Sequence, residues 1–310
     1  MSTVSATGFE PVPVPGSVWA GDSVTYLRGE KPLHDYLFQH AEEVPERIAY
    51  IYYGTEITWA EAGDAVRRLA AHLREKGVGP GDRVALFMQN CPQYIFAHYA
   101  VQALGAMVTP VNPQYKAAEV AYQLSNAETK ALVVARDLYP IVAGVRDQVP
   151  TLATVVSTAY GDYLPERPTL AVPKELLGEP SAPPAGTDDL SAILEHTAPL
   201  DRFEPVDLWN DVGLMTFTSG TTGRPKGAML SYGSSLFKMA VSFNANRMTE
   251  DTVSLGIAPL CHIAGMNFGV YQPVYARQTL VILARFEPAT TIDAIEHYRV
   301  SNWYGIAPML

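Results

Sequence analysis

Thr216-Phe-Thr-Ser-Gly-Thr-Thr-Gly-Arg-Pro-Lys-Gly-Ala-Met-Leu230 is the stretch on which the reading of this chain turns. The residues leading into it, Val212 to Thr218, are mostly apolar and β-prone and predict a buried strand. The residues that follow, Leu230-Ser-Tyr-Gly-Ser-Ser-Leu-Phe-Lys-Met-Ala-Val, predict a helix entered near Ser231. Between strand and helix, Gly220, Gly223 and Gly227 let the backbone turn tightly and approach a ligand. The hydroxyls of Thr218, Ser219, Thr221 and Thr222, the freed backbone N–H groups and the Lys226 ammonium are all donors. A loop so rich in donors suits a polyphosphate. It is not the phosphate loop of nucleotide hydrolases, because that pattern places Gly-Lys-Ser/Thr in sequence, whereas Lys226 here follows a proline and precedes Gly227.

Outward from the loop, strands alternate with helices. Upstream, Leu33 to Val44 predicts a helix stopped by Pro45, and Arg47 to Tyr53 a strand. Thr58-Trp-Ala-Glu61 has the form of a capping box and opens a helix that Gly77 ends. Strands follow at Val84–Met88, Met107–Val111, Lys130–Ala135 and Thr154–Ser157, separated by helices opening near Pro92, near Ala117 and over 138–148. Residues 161 to 186 break the rhythm with six prolines and predict an irregular crossover from one sheet to the next. Beyond it come helices near 188–195, 231–246 and 288–298, and strands at 253–257, 279–284 and Asn302–Ile306. This alternation predicts an α/β fold with parallel βαβ units. Residues 1–30, with Pro11, Pro13 and Pro15 among small residues, read as an extended arm.

Composition narrows the function classes. The 310 residues are 48% apolar and 17% charged, which allows a large core. A formal net charge of −10 argues against nucleic acid as a partner and against purely electrostatic docking on anionic lipid. Peripheral membrane contact stays open. No run of about 18 apolar residues exists to span a membrane. Cys91 and Cys261 have no metal-ligand spacing and form no disulfide framework, so the expected compartment is a reducing cytoplasm. Arg67-Arg68 reads as a solvated helix face.

Downstream, Pro259-Leu-Cys-His262-Ile-Ala-Gly265-Met-Asn-Phe-Gly269 is the second constellation. On a helix, His262, Gly265, Met266 and Gly269 share one face. Each glycine inside a helix costs about 1 kcal/mol relative to alanine, so bare backbone on that face serves tight packing or a ligand. A lone histidine on an apolar segment is as readily a hydrogen-bonded core residue as a catalyst. Cys261 reads as a small buried hydrophobe.

The 216–230 stretch resembles the signature loop of the adenylate-forming (acyl-activating, AMP-binding) enzymes, and among them the chain is most similar to the fatty acyl-CoA synthetases. The resemblance extends to Ile57-Thr-Trp-Ala-Glu61, Leu104-Gly-Ala-Met-Val-Thr-Pro-Val-Asn-Pro113 and Ala258-Pro-Leu-Cys-His-Ile-Ala-Gly265. After the loop, Ser231-Tyr232 replaces the more usual Thr-His. The resemblance implies the N-terminal domain of the acyl-activating fold over residues 31–310, with two sheet-based subdomains. It implies activation of a fatty acid by ATP to acyl-AMP, then transfer to coenzyme A. An aryl acid, a carrier-protein thiol, or a non-catalytic nucleotide-binding scaffold are the alternatives. It implies ATP contacts from Thr218, Ser219, Gly220, Thr221, Thr222, Gly223 and Lys226, with Thr218 nearest Mg2+. It gives Lys226 and His262 catalytic roles and makes His262, Gly265, Met266 and Gly269 the border of an acyl pocket. A homodimer is a further expectation. The family's chain continues past Leu310 into ribose and metal ligands and a small C-terminal domain, so residues 1–310 are expected to be a fragment that makes no acyl-CoA alone.

Overall fold

Val84 and Leu86 belong to one hydrophobic core, and Ala85 and Phe87, between and after them on the same strand, belong to a second. Successive strand residues face opposite sides, so this strand lies in a sheet covered on both faces. The computed structural model describes residues 24–178, 182–218, 224–246, 248–306 and 309. The strands in chain order are β1 (Ile48–Tyr52), β2 (Thr55–Thr58), β3 (Arg83–Phe87), β4 (Met107–Pro110), β5 (Ala131–Ala135) and β6 (Thr154–Thr158). They continue as β7 (Asp188–Asp189), β8 (Val212–Phe217), β9 (Gly227–Ser231), β10 (Val253–Gly256), β11 (Thr279–Ile282) and β12 (Asn302–Trp303).

These form two sheets, ordered β12-β10-β11-β1-β2 and β7-β6-β5-β3-β4-β8-β9. All pairings are parallel except the hairpins β1/β2 and β8/β9. The chain starts the first sheet, builds the second, and returns to complete the first. The helix Pro92–Ala103 lies between them with all twelve residues buried. A helix buried on every side has no solvent face to present, and its Gln93, His98 and Gln102 find their hydrogen bonds inside. Its Tyr99 hydroxyl donates to Val270 O at 2.9 Å and its Phe96 ring lies 6.3 Å from that of Tyr50 on β1.

The expected capping box is present: Thr58 Oγ1 accepts from Glu61 N at 3.2 Å while Glu61 Oε2 accepts from Thr58 N at 2.8 Å. The helix Trp59–Glu75 ends as expected at Gly77, whose φ of +84° is the left-handed conformation glycine adopts without strain.

Several expectations need correction. The crossover does not carry the chain to the next sheet. It leaves β6 and returns beside it as β7. On the way it touches the other sheet, where Thr169 N donates to Tyr53 O at 2.9 Å, and it buries Leu170 and Leu176. Residues 179–181 of it lie outside the described residues. The strand expected to end at Ile306 covers Asn302–Trp303 only. The single helix expected over 138–148 is two pieces, Tyr139–Ala143 and the 3-10 turn Arg146–Gln148. Arg67-Arg68 is not a solvated face. Arg67 lies 4.5 Å over the Phe38 ring and donates to Leu200 O at 3.2 Å, and Arg68 donates to Thr197 O at 2.8 Å. The pair clamps the segment after the helix Leu190–His196. Residues 1–23 of the expected arm lie outside the described residues.

Candidate active site

In the larger sheet, β3 leads through the helix Pro92–Ala103 to β4 on one side. β4 then leads through the helix Ala117–Asn126 to β5 on the other side of β3. The first helix contributes to the core between the sheets and the second to the outer core. The loops leaving β3 and β4 therefore diverge, and such divergence opens a crevice at the carboxyl ends of parallel strands. A cavity of about 330 Å3 occupies that place. Its walls are Met88–Asn90 after β3, Asn112–Gln114 after β4, Ile257 and Pro259 after β10, and Ala284–Phe286 after β11, with Cys261 and His262 at one side. Both sheets thus direct strand ends into one space.

Asn90 ties the sheets together there. Its side-chain amide donates to Ala258 O at 3.0 Å and Leu283 O at 3.2 Å, and its oxygen accepts from Leu260 N at 2.8 Å. Tyr94 adds a bond to Leu260 O at 3.1 Å. The segment ahead of His262 is therefore held from the opposite sheet. His262 caps the short helix Ile263–Met266 without a side-chain hydrogen bond, and its imidazole is exposed at the cavity. Cys261 behaves as expected, being free and buried, and burial pushes its thiol up to about 12.

Gly265, Met266 and Gly269 are brought near His262 in the chain but are not among the described residues that line the cavity. A Cβ on Gly265 would run into the Pro259 carbonyl, and one on Gly269 into the Leu260 side chain. Met266 is fully buried in the core between the sheets. Past Met266 the helix widens into a π turn over Asn267–Tyr271, so the i, i+3, i+4 face drawn from sequence holds only up to that point.

The donor-rich loop joins β8 to β9, an antiparallel pair whose last rung is Phe217 with Gly227. β9 was not expected: five residues ending at a helix give no periodicity of their own, and pairing with β8 makes them a strand. The predicted helix follows at Tyr232. Thr218 N donates to Lys226 O at 3.0 Å, and Lys226 N reaches Thr218 Oγ1 at 3.4 Å, so these two predicted residues face each other at the loop's base. Both are exposed. Ser219, Gly220, Thr221, Thr222 and Gly223 lie outside the described residues. β4 and β8 run parallel with Val108 opposite Leu214. Three residues further on, Val111 and Phe217 reach the same edge. The Thr218–Lys226 base therefore emerges beside the Asn112–Gln114 wall of the His262 cavity.

The profile of the AMP-binding enzyme family matches residues 37–310. The chain belongs to this family. A long-chain-fatty-acid–CoA ligase of Bacillus subtilis is 26% identical over 281 residues, 89% of this chain and 50% of that protein. A 4-coumarate–CoA ligase of Oryza sativa is 30% identical over 289 residues, 90% of this chain and 48% of its own. The crystal structure of a long-chain-fatty-acid–CoA ligase from Archaeoglobus fulgidus superposes with a TM-score of 0.78 at 22% identity, over 93% of this chain and 53% of that one. The chain spans about half the length of the curated relatives it matches.

For an AMP-binding enzyme the charge balance of the cavity matters. Among the described lining residues Arg285 is the one permanent charge, and it pairs with Glu175 from the crossover. Sequence reading passed over Arg285 and Asn90. Neither sits in a motif, and each acquires its partners from residues more than a hundred positions away. No group of three or more His, Cys, Asp or Glu among the described residues could hold a metal ion. The Thr218 hydroxyl is a hard oxygen donor, and Mg2+ usually binds through a few such ligands, waters and substrate phosphates. That donor set fits a metal carried mainly by the nucleotide. Among the described residues no helix is long and apolar enough to cross a membrane.

Proposed function

We propose that the full-length protein is an ATP-dependent acid–CoA ligase acting on a fatty acid. The observation that carries this reading is the common sheet edge: the Thr218–Lys226 hairpin base emerges beside a cavity with His262 at its side and Met88, Ile257 and Phe286 among its walls. A carboxylate oxygen attacks the α-phosphorus of ATP, the bond to the bridging oxygen breaks, and pyrophosphate leaves with its electrons. The thiol of coenzyme A then adds to the acyl carbon, loses its proton and expels AMP. In the first step an anion meets a polyanion, so preorganised positive charge lowers the barrier. Lys226 holds its ammonium towards the departing pyrophosphate. Backbone and hydroxyl donors of the loop take the β- and γ-phosphates, with Thr218 as the oxygen ligand offered to Mg2+. A bound Mg2+ supplies neutralisation of phosphate charge. His262 orients the carboxylate beside the α-phosphate, and Gly265 and Gly269 keep the backbone behind it close-packed.

The higher identity to the rice coumarate ligase favours a second reading, in which the acid is an aryl propenoate. Acid-dependent exchange of labelled pyrophosphate into ATP decides between them. Saturated fatty acids of graded length should support exchange far better than coumarate or ferulate. Exchange with the aryl acids alone transfers the function to the second reading, and exchange with no acid sinks both.

A further inference from the structure

The helix Ala117–Asn126 begins three residues after the Asn112–Gln114 wall of the His262 cavity. Its Glu119 accepts Lys116 N at 2.8 Å to close the first turn, and Val120, Ala121 and Leu124 anchor it in the outer core. Among the described residues, one side chain on this helix makes a hydrogen bond to the donor-rich loop. The Tyr122 hydroxyl donates to Pro225 O at 2.8 Å, and the Arg224 guanidinium lies 5.6 Å over the Tyr122 ring. Tyr122, Phe217, Arg224 and Pro225 line an open cleft of about 800 Å3 on this side. The arm Arg224–Lys226 lies beyond the last β8–β9 rung. Among the described residues, its hydrogen bonds inside the hairpin all go to Thr218, and Tyr122 gives its one hydrogen bond from outside.

We propose that Tyr122 is a positioning residue: it fixes the peptide ahead of Lys226 at a set distance from the His262 cavity. The claim rests on the function proposed above for Lys226, but its geometric half stands alone. Pro225 has a locked φ and no N–H, so its carbonyl is the one backbone group it can offer. Holding that carbonyl leaves the peptide joining it to Lys226 little freedom. The helix is rigid and starts at the cavity wall, so it acts as a spacer between the acid's place and the lysine's. Displacement of a reacting group by about 1 Å can cost about a hundredfold in rate. Loss of one hydrogen bond that leaves the ring in place should cost less.

Tyr122→Phe removes the hydroxyl alone and tests this. In the full-length protein kcat/KM for MgATP should fall about fivefold, the size of one lost hydrogen bond, while KM for the acid stays unchanged. In residues 1–310, trypsin should cut Lys226–Gly227 severalfold faster in the variant, the preceding Arg224–Pro225 bond being a poor substrate. Cleavage after Lys226 at the wild-type rate overturns the proposal, whatever the activity. A kinetic loss that falls on the acid instead of the nucleotide overturns it as well. A protein that shows no pyrophosphate exchange defeats the proposed function, and the cleavage rate then still decides the role of Tyr122.

Discussion

The side-chain oxygen of Asn90 accepts the backbone N–H of Leu260 at 2.8 Å, across the two sheets of the molecule. The two residues are 170 positions apart, and the same amide donates to the Ala258 and Leu283 carbonyls just past the ends of β10 and β11. One buried side chain thus satisfies three backbone groups that the converging strand ends would otherwise leave unpaired.

Asn90→Ala should therefore destabilise well beyond the loss of a surface contact. Each buried backbone group left without a partner costs about 1–3 kcal/mol, and water entering the cavity recovers part of that. A net loss of about 3 kcal/mol is expected in urea unfolding. Asn90→Asp should be as costly, since a carboxylate keeps the acceptor but presents negative charge to two carbonyls. A shift below about 0.5 kcal/mol for Asn90→Ala would show that the sheets are held together elsewhere.

Gly265 and Gly269 should separate under the same small substitution. A methyl on Gly265 meets the backbone carbonyl of Pro259, which cannot move without dragging the His262 segment. A methyl on Gly269 meets only the end of the Leu260 side chain, which can rotate away. Gly265→Ala should cost about 3 kcal/mol through overpacking. Gly269→Ala should change stability by less than about 1 kcal/mol, because the gain in helix propensity offsets the repacking. Thermal melts of the pair check this, and equal losses would contradict it.

Acid should unfold the protein through three buried histidines. Burial lowers His34, His40 and His98 to about 3. For His40 the neutral form is also fixed by bonding, since Arg277 Nε donates to its Nδ1 at 3.1 Å and its Nε2 faces Val274 O at 2.7 Å. The folded values lie below the unfolded 6.5, so the unfolded state takes up protons first. The stabilisation is complete above pH 6.5 and is lost as pH falls from there towards about 3. Each histidine adds a slope of about 1.4 kcal/mol per pH unit. At pH 5 the loss is about 2 kcal/mol per histidine. Replacing His98 by Asn should remove one such contribution from the slope of unfolding free energy between pH 6.5 and 5. A slope unchanged by that substitution would mean that His98 is already charged in the native state.

What the sequence disclosed follows the range of the interactions concerned. The Thr58–Glu61 cap spans three residues and Gly77 ends its own helix, so both were legible. The apolar runs of β3 through β6 and the helices between them fixed the parallel α/β class. β9 was hidden because its strand character comes from β8, and its outward Met229 is exposed. The crossover's return to its own sheet was hidden too, since two residues, Asp188 and Asp189, form the strand that decides it. At the candidate site, the motifs pointed to Thr218, Lys226 and His262. The residues that place them, Asn90 and Tyr122, carry no local signal, because their partners are distant in the chain.

His262 offers the sharpest division between structure and chemistry. Its backbone is engaged, with N–H donating to Pro259 O at 3.0 Å and its carbonyl accepting from Met266 N at 2.8 Å. Its imidazole caps nothing and faces the cavity. A substitution that keeps the backbone should therefore leave the fold intact. His262→Ala should melt within about 2 °C of the parent, as for a surface change worth under about 0.5 kcal/mol. In the full-length protein it should slow acid-dependent pyrophosphate exchange by about a hundredfold, within the range lost with a positioned polar group at a reacting centre. The loss should be similar for every acid the protein accepts, because the carboxylate is common to all. If exchange stays within twofold of the parent, His262 has no part in adenylation. If the loss varies with acyl length, the residue reads the chain instead of the carboxylate.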